Sequence, residues 1–177
     1  MNEIRRIRPG EGRLYRSLRI AALKDAPEAF QTTYEEALAK GDGLWAAQAD
    51  GAATGQDRAS FLAFADGEAV GLASVYCRHD ALAATDIDAE AELLQVWLAP
   101  GFRGTGLSHE LVAVCIRWSA EAGIRRLVAE VKEGNDHARR FYLGLGFNAS
   151  IKDGTILELD PREAAQQRDC GRPGQAL

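Results

Sequence analysis

The chain has 177 residues and a mass of 19.2 kDa, with 46% hydrophobic and 27% charged side chains. That is the size of one globular domain, and too apolar a composition for a disordered chain. A net charge of −5 and a pI near 5.3 argue against broad binding to nucleic acid or an anionic membrane surface. No apolar run approaches the ~18–20 residues of a membrane span.

In chain order, Glu3–Arg8 alternates Ile4 and Ile7 among charges and ends at Pro9-Gly10, which predicts a short first strand. From Glu11 to Ala26 the apolar stripe Leu14, Leu18, Ala21 and Ala22, with arginines 13, 16 and 19 between, predicts a helix stopped by Pro27. A second helix is expected over Thr33–Lys40, capped by Thr32 or Thr33. Asp50–Arg58 carries Gly51 and Gly55 without apolar periodicity and reads as an exposed loop. Strands Ser60–Ala65 and Ala69–Cys77 meet at Asp66-Gly67, a tight-hairpin dipeptide, and a third strand runs from about Ala91 to Leu98.

Leu107–Ala122 presents Leu107, Leu111, Cys115, Trp118 and Ala122 on one face and ends at Gly123, a strong helix signal. Leu127–Val131 is a short buried strand, Asn135 to about Gly144 a helix, and Phe147 onward with Thr155–Leu159 completes the sheet. The order is βααββ-β-α-β-α-ββ, a mixed α/β (α+β) domain over residues 1–160. The tail 161–177, rich in Gln, Arg, Gly and Pro, has the composition of a disordered segment.

Cys77, Cys115 and Cys170 are odd in number and far apart, so they form neither a disulfide framework nor a zinc pair. They fit a reducing cytoplasm, and Met1–Arg8 lacks the apolar region of a secretory signal. His79, His109 and His137 show no metal-ligand spacing, and no metal is expected. Asp86, Asp88, Glu90 and Glu92 form an acidic run that is either a solvated loop or an attraction for a cationic partner.

The most informative stretch is Gln95 to Ser108. A strand containing Val96, Trp97 and Leu98 ends at Pro100, a turn with Arg103, Gly104, Thr105 and Gly106 follows, and a helix starts at Leu107 and Ser108. Backbone N–H groups then converge with the positive end of a helix dipole, making an anion site unless the turn is merely structural. A Walker A loop needs Lys followed by Ser or Thr after its second glycine, and Leu107-Ser108 stands there instead. A dinucleotide fingerprint fails because His109 replaces the third glycine. The remaining reading, Arg103-x-x-Gly106-x-Ser108, fits a pyrophosphate lying across the helix start.

This turn, followed about 30 residues later by Asn135-x-x-Ala138-x-x-Phe141-Tyr142-x-x-x-Gly146-Phe147, resembles the GNAT superfamily of acyl-CoA-dependent N-acyltransferases. The motif core covers about Glu92–Phe147, and Arg16-x-x-Arg19-x-x-Ala22-Leu23 with Pro27-x-Ala29-Phe30 resembles the start of many small bacterial members. Ser108 departs from the Gly or Ala usual at the last motif position, though it is small and its hydroxyl can reach a phosphate.

The resemblance implies a mostly antiparallel central sheet flanked by helices, with acetyl-CoA as co-substrate in a cleft between the Val96 and Glu130 strands. It implies acetyl transfer to a primary amine, on a small molecule or peptide, by direct attack in a ternary complex. Tyr142 would protonate the departing thiolate, or else only pack beside Phe141. Glu92 and Glu130 compete for the role of base, with desolvation and water alone as the third choice, and both also read as surface charges. Val96, Trp97 and Leu98 would offer backbone groups to pantetheine, one N–H polarising the thioester carbonyl. Arg103–Ser108 would hold pyrophosphate, with His109 beside it, and Asn135 would bond pantetheine, cap its helix, or both. Phe30, Tyr34 and Trp45 fall where the family builds its acceptor pocket, or in the core. Two rivals stand beside the enzyme: a non-catalytic acyl-CoA-binding or regulatory module on the same fold, and a structural domain with an unused turn. A homodimer is left open.

Overall fold

The computed structural model describes residues 1–77 and 89–170, with side chains omitted for 167–170. Among the described residues seven strands form one sheet in the order β1-β2-β3-β4-β5-β7-β6. The strands are β1 (Asn2–Arg6), β2 (Arg58–Ala65), β3 (Glu68–Cys77), β4 (Glu90–Leu98), β5 (Arg126–Glu130), β6 (Asn148–Ala149) and β7 (Ile156–Leu159). Helices α1 (Gly12–Asp25), α2 (Tyr34–Ala39), α3 (Asp42–Thr54), α4 (Leu107–Glu121), α5 (Asp136–Gly144) and α6 (Pro161–Cys170) flank it. The sheet is antiparallel except at β4–β5, the parallel pair that α4 connects. This is the mixed, mostly antiparallel fold expected above, with α3 and α6 added to the element order.

Side-chain alternation along β2 divides the interior in two. Phe61, Ala63 and Ala65 join the core under α4, whereas Leu62 and Phe64 face the second core under α1 and α3. Cys115 lies fully buried in the first core and burial pushes its thiol up; the Cys77 thiol is pushed up to about 11. Both are unreactive core thiols. The α2 start carries a reciprocal cap: the Thr33 hydroxyl accepts from Glu36 N–H, and the Glu36 carboxylate from Thr33 N–H.

Three local expectations change. Asp50–Thr54 is the last turn and a half of α3 and not a loop. Only Trp45, Ala49 and Ala52 of that helix are buried, an interval masked by small residues. The tail begins as α6, where Asp160 Oδ1 accepts from Arg162 N–H at 2.9 Å and Ala164 packs on the core. The end of the tail, 171–177, and the calls on His79, Asp86 and Asp88 lie outside the described residues.

The third change is in β4. Leu72 of β3 faces Trp97 and Ser74 faces Leu94, so β4 uses three steps where β3 uses two. Gln95 takes the bulge with φ of +60°, a left-handed conformation that costs about 1–2 kcal/mol in a non-glycine residue. Its side chain offsets this: Gln95 Oε1 accepts from the Tyr15 hydroxyl at 2.7 Å and from Ser74 Oγ at 3.1 Å.

A candidate acetyl-transfer cleft

The parallel pairing of β4 with β5 stops at Glu92↔Val128. Beyond that pair β5 continues beside β7, while β4 bends at its bulge, and the two strands part. A cleft of about 620 Å³ fills the fork, lined by β4 from Glu92 to Leu98, by Glu130, Val131 and Lys132, and by the loop from Ala26 to Thr32. Arg19, Arg103, Asn135 and Tyr142 complete its wall. The loop reaches across to β5 and just beyond it: Gln31 Nε2 donates to Glu130 Oε2 at 3.1 Å, and Lys132 Nζ donates to the Phe30 carbonyl at 2.9 Å.

The turn after β4 joins this cleft through Arg103. Gly104 and Gly106 hold φ of +76° and +91°, which L side chains rarely adopt, and Gly106 caps α4 with no side-chain hydrogen bond. Within the first turn of this 15-residue helix the Leu107 N–H meets Thr105 Oγ1 at 3.5 Å and the His109 N–H meets the Gly106 carbonyl at 3.0 Å, which leaves the Ser108 N–H for an outside acceptor. Thr105 Oγ1 donates to Phe102 O at 2.7 Å and steadies the turn. Leu107 is buried, Ser108 half-buried, and His109 exposed with its ring edge-on to Phe141 at 5.0 Å.

Arg103 is tethered from two sides. Its Nε donates to Leu98 O at 3.0 Å and its Nη2 to the Asp25 carboxylate, which also accepts from Trp97 Nε1 at 2.9 Å. The Trp97 side chain, given no role in the sequence, therefore fastens β4 to the end of α1. The Trp97 indole first and Arg103 second hold the Asp25 carboxyl below its usual range. A depressed folded-state pKa stabilises fully above the unfolded value, near ~3.9, and is lost as pH falls through the folded value. Asp25→Asn should therefore lower the thermal midpoint at pH 7. The gap from the parent protein should close as the scans are taken below about pH 4.

Asn135 caps α5 by accepting from Ala138 N–H at 3.1 Å while also lining the cleft, so both of its roles are open to it at once. Tyr142, 8% exposed, projects from α5 between Phe141 and Phe147 and still reaches the cleft. Desolvation, and then the neighbouring Cys115, raise its phenol, which keeps the proton on at any working pH.

The two glutamates sit differently. Glu92 is half-buried at the last paired position before the strands part; Glu130 is exposed and bonded by Gln31. Glu90 of the acidic run is bound to Arg126, which also pairs with Glu158 at 2.7 Å. Trp45 is buried in the second core edge-on to Tyr15, and Tyr34 packs against that core; of the three aromatic candidates only Phe30 lines the cleft. The sequence reading gave no site role to Gln95, Asp25 or Arg19, although Gln95 and Arg19 stand in stretches it singled out. Among the described residues no His, Cys, Asp and Glu cluster could hold a metal, and no helix is long and apolar enough to cross a membrane.

A family model described as the acetyltransferase (GNAT) family matches residues 15–147. The chain belongs to the GNAT acetyltransferase family. This GNAT chain is 33% identical over 89 residues to the aminoglycoside N(6')-acetyltransferase type 1 of Salmonella typhimurium, a match covering 50% of the chain and 61% of that relative. It thus spans about three-fifths of the length of the first curated relatives it matches. The enzyme of the same name from Stenotrophomonas maltophilia is 28% identical over 145 residues, 81% of this chain and 84% of the relative. Among solved structures, the PaiA N-acetyltransferase of Thermoplasma acidophilum in complex with coenzyme A superposes with a TM-score of 0.69. It covers 90% of this chain and 99% of its own at 18% identity, a likeness of fold.

Proposed function

We propose that the chain is an acetyl-CoA-dependent N-acetyltransferase that moves the acetyl group directly to a primary amine within a ternary complex. The observation that carries this reading is the fork itself. Past Glu92↔Val128 a bulged strand turns backbone toward an open cleft lined at Arg103, the residue from which the glycine turn leads into the start of α4. That arrangement suits a long, thin ligand with a pyrophosphate at one end. Val96, Trp97 and Leu98 would pair with pantetheine like an added strand, and Arg103 to Ser108 would take the pyrophosphate, with His109 at its rim. The relatives' acetyl-transfer names support the same reaction class.

In the reaction the amine lone pair attacks the thioester carbonyl carbon, and a β4 backbone N–H stabilises the oxyanion. Collapse expels the CoA thiolate, which takes a proton from the Tyr142 hydroxyl, and the second proton shed by the attacking nitrogen as it becomes the amide restores the phenol through water. An alkyl amine is almost wholly protonated at pH 7, so a base must free it. Glu92, half-buried at the fork, is better placed for this than exposed Glu130, which would serve through water.

The first test is thermal unfolding with acetyl-CoA against adenosine-phosphate and salt controls. At about 100 times Kd the native state should gain ~2.7 kcal/mol, a readily measured rise in midpoint. Folded protein that ignores millimolar acetyl-CoA would sink the reading. Binding without thiol release across an amine panel would instead leave the non-catalytic acyl-CoA module.

A further inference from the structure

Arg19 is the one arginine among the described residues that is buried outright, although Arg16 Nε also lacks a hydrogen-bond partner. Arg5, Arg58, Arg103, Arg126 and Arg162 each meet a carboxylate. Arg19 is only 3% exposed, yet its Nη1 has no hydrogen-bond partner among the described residues. Its guanidinium lies 4.9 Å from the centre of the Phe30 ring, and the one titratable group acting on it is Tyr15, a turn earlier on α1. Guanidinium stays charged in proteins, and an isolated buried charge costs several kcal/mol unless it is paired. A fold that keeps such a group leaves it for a partner from outside, and Arg19 opens onto the cleft wall.

The chemistry of that partner follows from where Arg19 sits. The pyrophosphate end is already served by Arg103 and the α4 start. Arg19 instead lies against Phe30, in the loop that is hydrogen-bonded to Glu130 and Lys132. The same cleft carries the carboxylates Glu28, Glu92 and Glu130. A purely cationic acceptor would satisfy the acids and leave Nη1 bare. An acceptor with both charges satisfies the whole set.

We propose that Arg19 is a specificity residue that holds the carboxylate of a small aminocarboxylate acceptor, whose primary amine faces Glu92 and Glu130. This rests on the acetyl-transfer reading above and names the substrate class for that same cleft.

The test compares amines that differ only in the carboxylate: lysine with cadaverine, phenylalanine with phenethylamine, leucine with isopentylamine. Each is assayed for binding to CoA-saturated protein and for thiol release from acetyl-CoA. At least one acid should be preferred over its partner by about tenfold or more in kcat/KM, the size of one charge-assisted hydrogen bond. In Arg19→Gln the preference should collapse toward one, and Arg19→Lys should restore part of it. A merely structural role would shift the KM of acetyl-CoA and of every amine together. The comparison in the unaltered protein stands even if Arg19→Gln fails to fold. Protein that binds acetyl-CoA but shows no carboxylate preference, or a higher turnover of the amines without one, overturns this inference alone. Protein that does not bind acetyl-CoA overturns the transfer reading and this inference with it.

Discussion

Tyr142→Phe should bind acetyl-CoA as the parent does and lose about 10²- to 10⁴-fold in turnover, the usual range for a general acid. The substitution removes one hydroxyl and keeps the ring that packs edge-on to Phe141 and Phe147, so folding is little disturbed. Binding is read by thermal shift or calorimetry and turnover by thiol release. Because the hydroxyl acts only as the C–S bond breaks, kcat and kcat/KM should fall together while KM hardly moves. A Tyr142→Phe protein with full turnover would remove the phenol from the mechanism and leave water to protonate the thiolate.

Gly71→Ala should cost about 1–3 kcal/mol of stability by overpacking and weaken acetyl-CoA binding with it. Gly71 of β3 faces Leu98 of β4, and a Cβ there would stand 2.7 Å from Leu98 Cδ1 and 2.9 Å from the Trp97 carbonyl oxygen. The leucine tip can turn away, but the carbonyl belongs to the strand that lines the cleft, so β4 must shift just past its bulge. Chemical denaturation measures the first effect and titration with acetyl-CoA the second. A variant destabilised yet unchanged in cofactor affinity would show that this part of β4 does not hold the ligand.

What the sequence made legible was the periodic and the punctuated. The Asp66-Gly67 hairpin, the apolar face of α4 and the glycine turn before it all lie where their local patterns put them, because each is decided within a few residues. The helix α3 was hidden, since Gly43, Gly51 and a run of alanines dilute a buried face of only Trp45, Ala49 and Ala52. The helix α6 did carry a signal, Asp160 before Pro161, an N-cap ahead of a first-turn proline, but composition argued the other way.

The site residues divide in the same manner. Arg103, Asn135 and Tyr142, which the resemblance singled out, all line the cleft. Gln95 was given no role, because its left-handed backbone depends on Tyr15, 80 residues earlier in the chain. Arg19 was read as part of the polar face of α1, and only the tertiary placement of Phe30 and the cleft shows it to be buried.

Where β4 parts from β5, the sheet acquires a free edge in its middle and not at its rim. An exposed edge invites strands from other molecules, and proteins usually blunt theirs with charge or cover. This one is covered: the gap lies between two strands of one sheet, under the loop clasped by Glu130 and Lys132, which shields it from a strand of another molecule. The molecule can therefore keep unsatisfied strand backbone permanently available without the risk of aggregation that such backbone carries elsewhere.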